Sequence, residues 1–406
     1  MEKLLNLQDQ YKFPMGQLIY EQEPDAEVTF KMTNRKALKG MRIADYVQTE
    51  ELQEHYDSLR ELSFTPEELA ILERQTDKHY TPEYLGMLAS FKLPAIEVMI
   101  DPENNDLTAT TTANWNASSL WEIPMLASIP EFYYPRYIDA NGGSMKQVWN
   151  EGDRRLTDMI ELMKAHPKIK FAEFGTRRRF GSAWQSHAVE RFVTECPDNL
   201  IGTSNPYLAD KYGIAASGTN AHELSMTYAA LAEARGDNPL DGQNRVITDW
   251  LERFPTMPVA LIDTFTSDVT LHDLNEDQIE KVRSFRIDSG NEYKIGQKVI
   301  SFLERHSVDP LSRTLFFSNS LTPQKVVEIS DAFQGKVGVA FGIGGHAVNN
   351  MGFDGQRSLP SMNIVAKAVE VNGRGTVKLS DDEGKHMGDP ADVTRYLQLA
   401  KERLAV

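Results

Sequence analysis

One histidine stands where a helix should begin. In GTNAHELSM (218–226), Asn220 is a residue type that caps helices, and Glu223, three residues on, completes a capping-box-like spacing. That spacing puts His222 in the first turn, where the positive end of the helix disfavours an imidazolium and favours a neutral, nucleophilic ring. A phosphoryl group carried on that ring would lie where backbone N–H groups solvate it. A zinc-protease reading fails, because HExxH needs a second histidine where Met226 stands. Taken alone, the motif more readily suits a helix-start histidine that only bonds a loop.

Other segments carry groups for anions and hydroxyls. FAEFGTRRRFGS (171–182) places Arg177, Arg178 and Arg179 together, and arginine binds phosphate or carboxylate bidentately. Phe174 precedes a turn glycine there and could offer a ring face to a planar ligand; the alternative is a solvated charge run. SFRIDSGN (284–291) puts Arg286 and Asp288 on one face of a strand, suited to a ligand with an anionic group and sugar hydroxyls, or to each other as an internal salt bridge. Asp263 and Asp268, in LIDTFTSD, are further acceptors for hydroxyls or a Mg²⁺–water shell. FGIGGHAVNN (341–350) gathers Gly342, Gly344 and Gly345, a composition that can form an anion-binding nest or simply a tight turn. It is no dinucleotide fingerprint, since GxGxxG would need glycine in place of Ala347, and the chain has no GxxxxGK[ST] loop.

These clusters share a setting. Each follows a short apolar run: FAEF, NLIG, YGIAA, VALI, SFRI, TLFF and GVAF, seven in all. Such runs bounded by turn residues read as buried parallel strands, whose C-terminal ends carry the chemistry in α/β folds. The starts recur at the length of a βα unit from about residue 145, except for a close pair near 200 and 213 and a longer gap at 220–257. That gap holds two helical patterns, 222–235 and 244–254. The rhythm predicts an α/β barrel over 145–355, preceded by an α/β domain over 1–140. MNIVAKAVEVNGRGTVKLS (362–380) reads as a hairpin, so 360–406 is a candidate to complete that first domain. Thr65 with Pro66 marks a helix start, and the Pro- and aromatic-rich stretch 129–144 reads as a connection between units.

Composition narrows the class. The 406 residues carry a net charge of −16, which speaks against a non-specific nucleic-acid binder. Cys196 is the only cysteine, so neither a disulfide nor a thiolate metal cage forms within the chain. The N-terminus has no apolar core of a signal peptide, and no apolar run has the length of a membrane span. A soluble cytoplasmic protein with no nucleic-acid or membrane partner is the expectation.

With these residues in hand, the chain resembles bacterial-type nicotinate phosphoribosyltransferases. The resemblance runs in order through DQYKFPMG (9–16), FAEFGTRRR, LIGTSN, GTNAHE, ALIDTF, RIDSGN, FSNSL, FGIGG and NIVAKAVEVNGRGTVKLSDDEGK (363–385). It implies an irregular α/β barrel of the type II phosphoribosyltransferase kind with an N-terminal α/β domain. It also implies transfer of phosphoribose from phosphoribosyl pyrophosphate to nicotinate with Mg²⁺, coupled to ATP through a phosphohistidine, in a homodimer with shared sites. By the resemblance His222 is the phosphorylated residue, Phe174 stacks on the pyridine ring, and Tyr11 covers its other face from the partner subunit. Arg286 holds the nicotinate carboxylate, Asp288 the ribose hydroxyls, Arg177 a phosphate, and Gly344 and Gly345 the 5′-phosphate. Ser204 stands where nicotinamide-using relatives carry an Asp, and it spares a carboxylate that repulsion. His346 has no counterpart in this scheme.

Overall fold

In the computed structural model, residues 3–75 and 80–405 are described. The N-terminal part forms strands β1 (Glu27–Asn34), β2 (Glu97–Asp101) and β3 (Asp106–Asn114) with helices around them. In β1 the side chains alternate: Val28, Phe30 and Met32 are buried, while Thr29, Lys31 and Thr33 are partly exposed, as expected of a sheet covered on one face. Thr65 and Glu68 form a reciprocal capping box that starts helix Pro66–Glu73.

The barrel strands are β4 (Phe171–Glu173), β5 (Leu200–Thr203), β6 (Val259–Leu261), β7 (Ser284–Ile287), β8 (Thr314–Phe317) and β9 (Gly338–Ile343). All their pairings are parallel, in the order β5-β4-β9-β8-β7-β6. The β4–β9 pairing returns the last strand to the first, as barrel closure requires. No described ladder joins β5 to β6, and helices His222–Ala234 and Asp241–Arg253 follow in that gap. The seventh strand expected near 213 does not form. Helix Pro206–Tyr212 runs up to Gly213, which turns the chain in the left-handed region, and only a single bridge, Ala216 to Thr203, remains. That bridge needs a glycine on β5: a Cβ on Gly202, at φ +148, would stand 2.4 Å from the carbonyl oxygen of Ala215.

The chain then returns to the first sheet. Strand β10 (Ile364–Val371) pairs antiparallel with β1 and turns into β11 (Arg374–Gly375), completing the order β11-β10-β1-β3-β2. Helix Pro390–Leu404 packs back on the barrel, with Tyr396 against Phe265 at 5.7 Å between ring centroids. The stretch read as a connection, 129–144, is instead mostly helix, Glu122–Ala140, with Pro130 and Pro135 inside it. Burial outweighs the proline penalty: Ile123, Leu126, Ile129, Tyr133 and Tyr134 are all in the core, and Tyr133 stacks on Tyr137. Among the described residues no helix is long and apolar enough to cross a membrane.

Candidate active site

A cavity of about 530 Å³ opens at the C-terminal ends of the barrel strands, roofed by β10 and the N-terminal segment. Tyr11, Phe174, Arg177, Ser204, His222, Arg286, Asp288, Gly344 and Gly345 all line it. Phe174, Arg177, Ser204, Arg286, Asp288, Gly344 and Gly345 meet because each sits at or just past a strand end, while His222 enters from the helix in the β5–β6 gap and Tyr11 from the N-terminal segment.

His222 is the first residue of its helix, but the expected capping box is absent. Ala221 is the N-cap, and no side chain caps the helix. Glu223 is drawn off by Lys12 Nζ (2.6 Å) and Trp115 Nε1 (2.8 Å), and the Asn220 carbonyl accepts from Arg286 Nη1 (2.7 Å). The imidazole Nδ1 lies 3.0 Å from Thr264 Oγ1, and Nε2 lies 3.0 Å from Lys378 Nζ and 3.1 Å from Asp288 Oδ2. Burial, then the ammonium of Lys378, pulls the ring down to about 4, against the opposing pull of Asp263 and Asp288. A neutral ring thus has a different main cause from the helix end.

Arg286 and Asp288 form only a long ion pair, 3.8 Å from Nη2 to Oδ1, with no direct hydrogen bond between them. Ser318 lies between them: its Oγ accepts from Arg286 Nε (3.0 Å) and donates to Asp288 Oδ1 (2.7 Å). Burial alone would raise the Asp288 carboxyl, but His222, Arg286 and Lys378 hold it well below the usual range. The aromatic shelf is Phe174, beside Phe316 at 5.4 Å and against the bare Cα of Gly342, where a Cβ would meet the ring at 2.6 Å.

The arginine run divides. Arg177 donates to Glu122 (3.1 Å), which also bonds Tyr11 Oη (2.9 Å) and Lys12 Nζ (2.6 Å). Arg178 lines the cavity, and burial with the charges of Arg177 and Arg35 pushes it down to about 10. Arg179 instead turns into the core, holding Asn6 O and Glu131, and is no ligand group. With Arg35, Lys367, Lys378 and Lys385 also on the wall, cations accumulate at the cavity as a polyanionic ligand would require. Gly344 and Gly345 stand at the mouth of β9, and a Cβ on Gly344 would crowd the Phe174 carbonyl at 3.2 Å. His346 lines the same cavity, bonded to Asn350, with its pKa lowered by burial and by Arg155.

Two expectations are corrected. Tyr11 lines the cavity of its own chain, because the segment 9–11 packs against Ser204 and Gly218, so no partner subunit is needed to bring it there. Asp268 does not face the cavity; its exposed carboxylate pairs with Lys298 at 2.8 Å. Asp263 is better placed, fully buried 3.8 Å from His222 Nε2, with Oδ1 lacking a hydrogen-bond partner. Among the described residues no three His, Cys, Asp or Glu are grouped to hold a metal ion. Asp288 lines the cavity as an acceptor, whereas Asp263 is fully buried and is not on the cavity wall. Lys378, Thr264, Ser318 and Asp9 carry no assignment from sequence reasoning. All four lie within the family-like segments, Asp9 in DQYKFPMG, Thr264 in ALIDTF, Ser318 in FSNSL and Lys378 in the 363–385 stretch, which was the available signal.

An irregular parallel α/β barrel, an antiparallel N-terminal sheet and a cation-rich cavity at the strand ends define a phosphoribosyltransferase of the type II kind. Residues 169–403 match the nicotinate phosphoribosyltransferase family profile, and residues 7–130 match the N-terminal domain profile of that family. The chain belongs to the nicotinate phosphoribosyltransferase family. Among solved structures it is similar to nicotinate phosphoribosyltransferase from Porphyromonas gingivalis (27% identity, 100% of both chains covered, TM-score 0.87). A putative nicotinate phosphoribosyltransferase from Saccharomyces cerevisiae matches at 27% identity over 99% of this chain and 98% of that one, with TM-score 0.86. The Vibrio cholerae nicotinate phosphoribosyltransferase matches at 26% identity over 100% of this chain and 94% of that one, also with TM-score 0.86.

Proposed function

We propose that the protein joins nicotinate to 5-phosphoribosyl 1-diphosphate, giving nicotinate mononucleotide and pyrophosphate for NAD biosynthesis in the cytoplasm, with ATP hydrolysed through a phosphohistidine at His222. The observation that carries the reading is the place of His222, a buried imidazole between Thr264, Lys378 and Asp288 in the same cavity as Phe174 and Arg286.

Phe174 and Tyr11 hold the pyridine ring, Arg286 pairs with its carboxylate, and Asp288 accepts from the ribose hydroxyls. Gly344 and Gly345 receive the 5′-phosphate, and Arg177 a further phosphate. The pyridine nitrogen is already nucleophilic and attacks C1′ as the C1′–O bond to pyrophosphate breaks, so no strong base is required. Charge gathers on the leaving oxygens, which the wall of Arg and Lys side chains stabilises. Mg²⁺ carried on the diphosphate would supply Lewis-acid stabilisation of that charge, with Asp288 as the cavity carboxylate toward its water shell. For coupling, the Nδ1–H tautomer, donating to Thr264, presents the Nε2 lone pair to the Lys378 ammonium. Asp288 Oδ2, 3.1 Å away and without a donor from the ring in this tautomer, accepts from the ribose hydroxyls instead. Nε2 then takes the γ-phosphoryl group of ATP as ADP leaves, and water later removes it. Since Tyr11 reaches the cavity of its own chain, each subunit of the expected homodimer carries its own pyridine clamp.

The test is product chromatography after incubation with phosphoribosyl pyrophosphate, Mg²⁺ and either nicotinate or nicotinamide, with and without ATP. Nicotinate mononucleotide, boosted by ATP in the native enzyme but not in His222→Asn, is the expected result. Product from nicotinamide alone refutes the substrate, and loss of all transfer in a folded His222→Asn refutes a coupling role for that residue.

A further inference from the structure

Ser204 does not stand alone at the cavity wall. Its Oγ lies 2.5 Å from Asp9 Oδ1, and the two residues are 4% and 2% exposed. The backbone fixes the pair: Gln10 N–H donates to Ser204 O (2.6 Å) and Ser204 N–H to Glu173 O (2.7 Å). A carboxylate therefore stands at this wall even though residue 204 is not itself acidic. We propose that Asp9 and Ser204 form a proton-coupled specificity element, in which a carboxylate ligand is bound with one proton taken up at Asp9 and the corresponding carboxamide is bound without one.

The argument is a count of hydrogens. An ionised carboxylate only accepts, so while Asp9 is charged the single hydroxyl proton of Ser204 is committed to it. Ser204 then shows the cavity only lone pairs, with a full negative charge behind them. That surface suits the N–H of a carboxamide and opposes a carboxylate. Protonating Asp9 reverses the pair: its O–H donates to Ser204 Oγ, and the Ser204 hydroxyl turns to donate to the ligand carboxylate. The proton comes from solvent, and no other bond changes.

The surroundings of Asp9 allow this change. Burial raises its carboxyl above the usual range, Glu122 adds to that, and Ser204, Arg177 and the Thr176 hydroxyl oppose it. Tyr11 and Glu173 also feel its charge. Glu173 is the competing proton site, pushed up to about 7 by burial and by Asp9. It already accepts from Gly175 N–H (2.5 Å), Thr203 Oγ (2.5 Å) and Gln185 Nε2 (3.2 Å), a set of donors that favours its ionised form. Asp9, unlike Glu173, lines the cavity and bonds the Ser204 hydroxyl, so a carboxylate bound there acts on Asp9 most directly, and the added proton is placed on it.

This inference rests on the nicotinate reading above. Titration calorimetry of the full chain in buffers of different ionisation enthalpy counts the protons taken up. Near pH 7.5 the expected slope is about one proton for nicotinate and for benzoate, which lacks the ring nitrogen, and about zero for nicotinamide. Asp9→Asn, whose amide donates to Ser204 permanently, binds nicotinate with no uptake, and Glu173→Gln retains the uptake. In kinetics, the native nicotinate KM rises about tenfold per pH unit above the Asp9 transition with kcat unchanged, and the Asp9→Asn profile is flat. Nicotinate bound and turned over with no uptake overturns this inference alone, as does full uptake in Asp9→Asn. No nicotinate binding and no nicotinate product overturns the substrate reading with it.

Discussion

Replacing Arg286 by Ala tests the carboxylate assignment most directly. The guanidinium is nine-tenths buried, and two of its three nitrogens are engaged: Nη1 with the Asn220 carbonyl and Nε with Ser318. Nη2 has only the 3.8 Å contact with Asp288, so it is the nitrogen left for a ligand. Removing one charge-assisted hydrogen bond of about 1.5–3 kcal/mol weakens nicotinate binding roughly 10- to 200-fold. The KM for nicotinate should rise by that factor, while the KM for phosphoribosyl pyrophosphate changes little. Arg286→Lys keeps a charge but cannot hold Asn220, Ser318 and a ligand at once, and it should recover only part of the loss. Initial rates against each substrate, with a thermal melt to verify folding, give the answer. An unchanged nicotinate KM in a folded Arg286→Ala enzyme, or an equal rise for both substrates, removes Arg286 from the carboxylate role.

The other predictions concern packing and charge. Gly342→Ala places a methyl 2.6 Å from Phe174 and 3.1 Å from Phe316, so the shelf must tilt; overpacking of this kind costs about 1–3 kcal/mol, and both a lower melting temperature and a higher nicotinate KM are expected. Retention of both values would mean that Phe174 is not set by that glycine. Because the folded His222 pKa, about 4, lies below its ordinary 6.5, the unfolded chain binds the extra proton between those values. His222 therefore makes stability fall as pH drops from about 6.5 towards 4. Lowering the pH from 7 to 5 should depress the native melting temperature more than that of His222→Asn; equal falls would deny the ring its buried neutral state. Glu173, with its raised pKa, has the opposite slope, but it is present in both proteins and cancels in the comparison.

How much of this was legible in the sequence depends on whether a residue's partners are local. The barrel strands could be read because a parallel strand buried on both faces needs a continuous apolar run, and the groups that follow each run share its strand end. Phe174, Arg286, Asp288 and Gly344 were found that way. The stretch 129–144 misled because proline is a local signal, whereas the burial of Ile129, Tyr133 and Tyr134 that keeps it helical is tertiary. The capping box failed for a similar reason: Glu223 pairs with Lys12, 211 residues away, and with Trp115, 108 residues away.

The same distinction governs the chemistry. The neutral state of His222 is set by burial and by Lys378, 156 positions later, more than by the helix it begins. The barrel supplies Arg286, Asp288 and the Phe174 shelf at strand ends, and His222 at a helix start in the gap between β5 and β6. Asp9, Tyr11, Lys12, Glu122 and Lys378 come from the segments before the barrel and after it. Those segments decide which barrel side chains are charged, donor or acceptor: Lys378 faces His222 Nε2, Glu122 holds Arg177, and Asp9 holds the Ser204 proton. A barrel with the same strand-end residues but a different roof would keep the positions of its reactive groups and lose their protonation states. Ligand selectivity in this chain is therefore to be sought at the junction of the two units, where no local pattern in the sequence points.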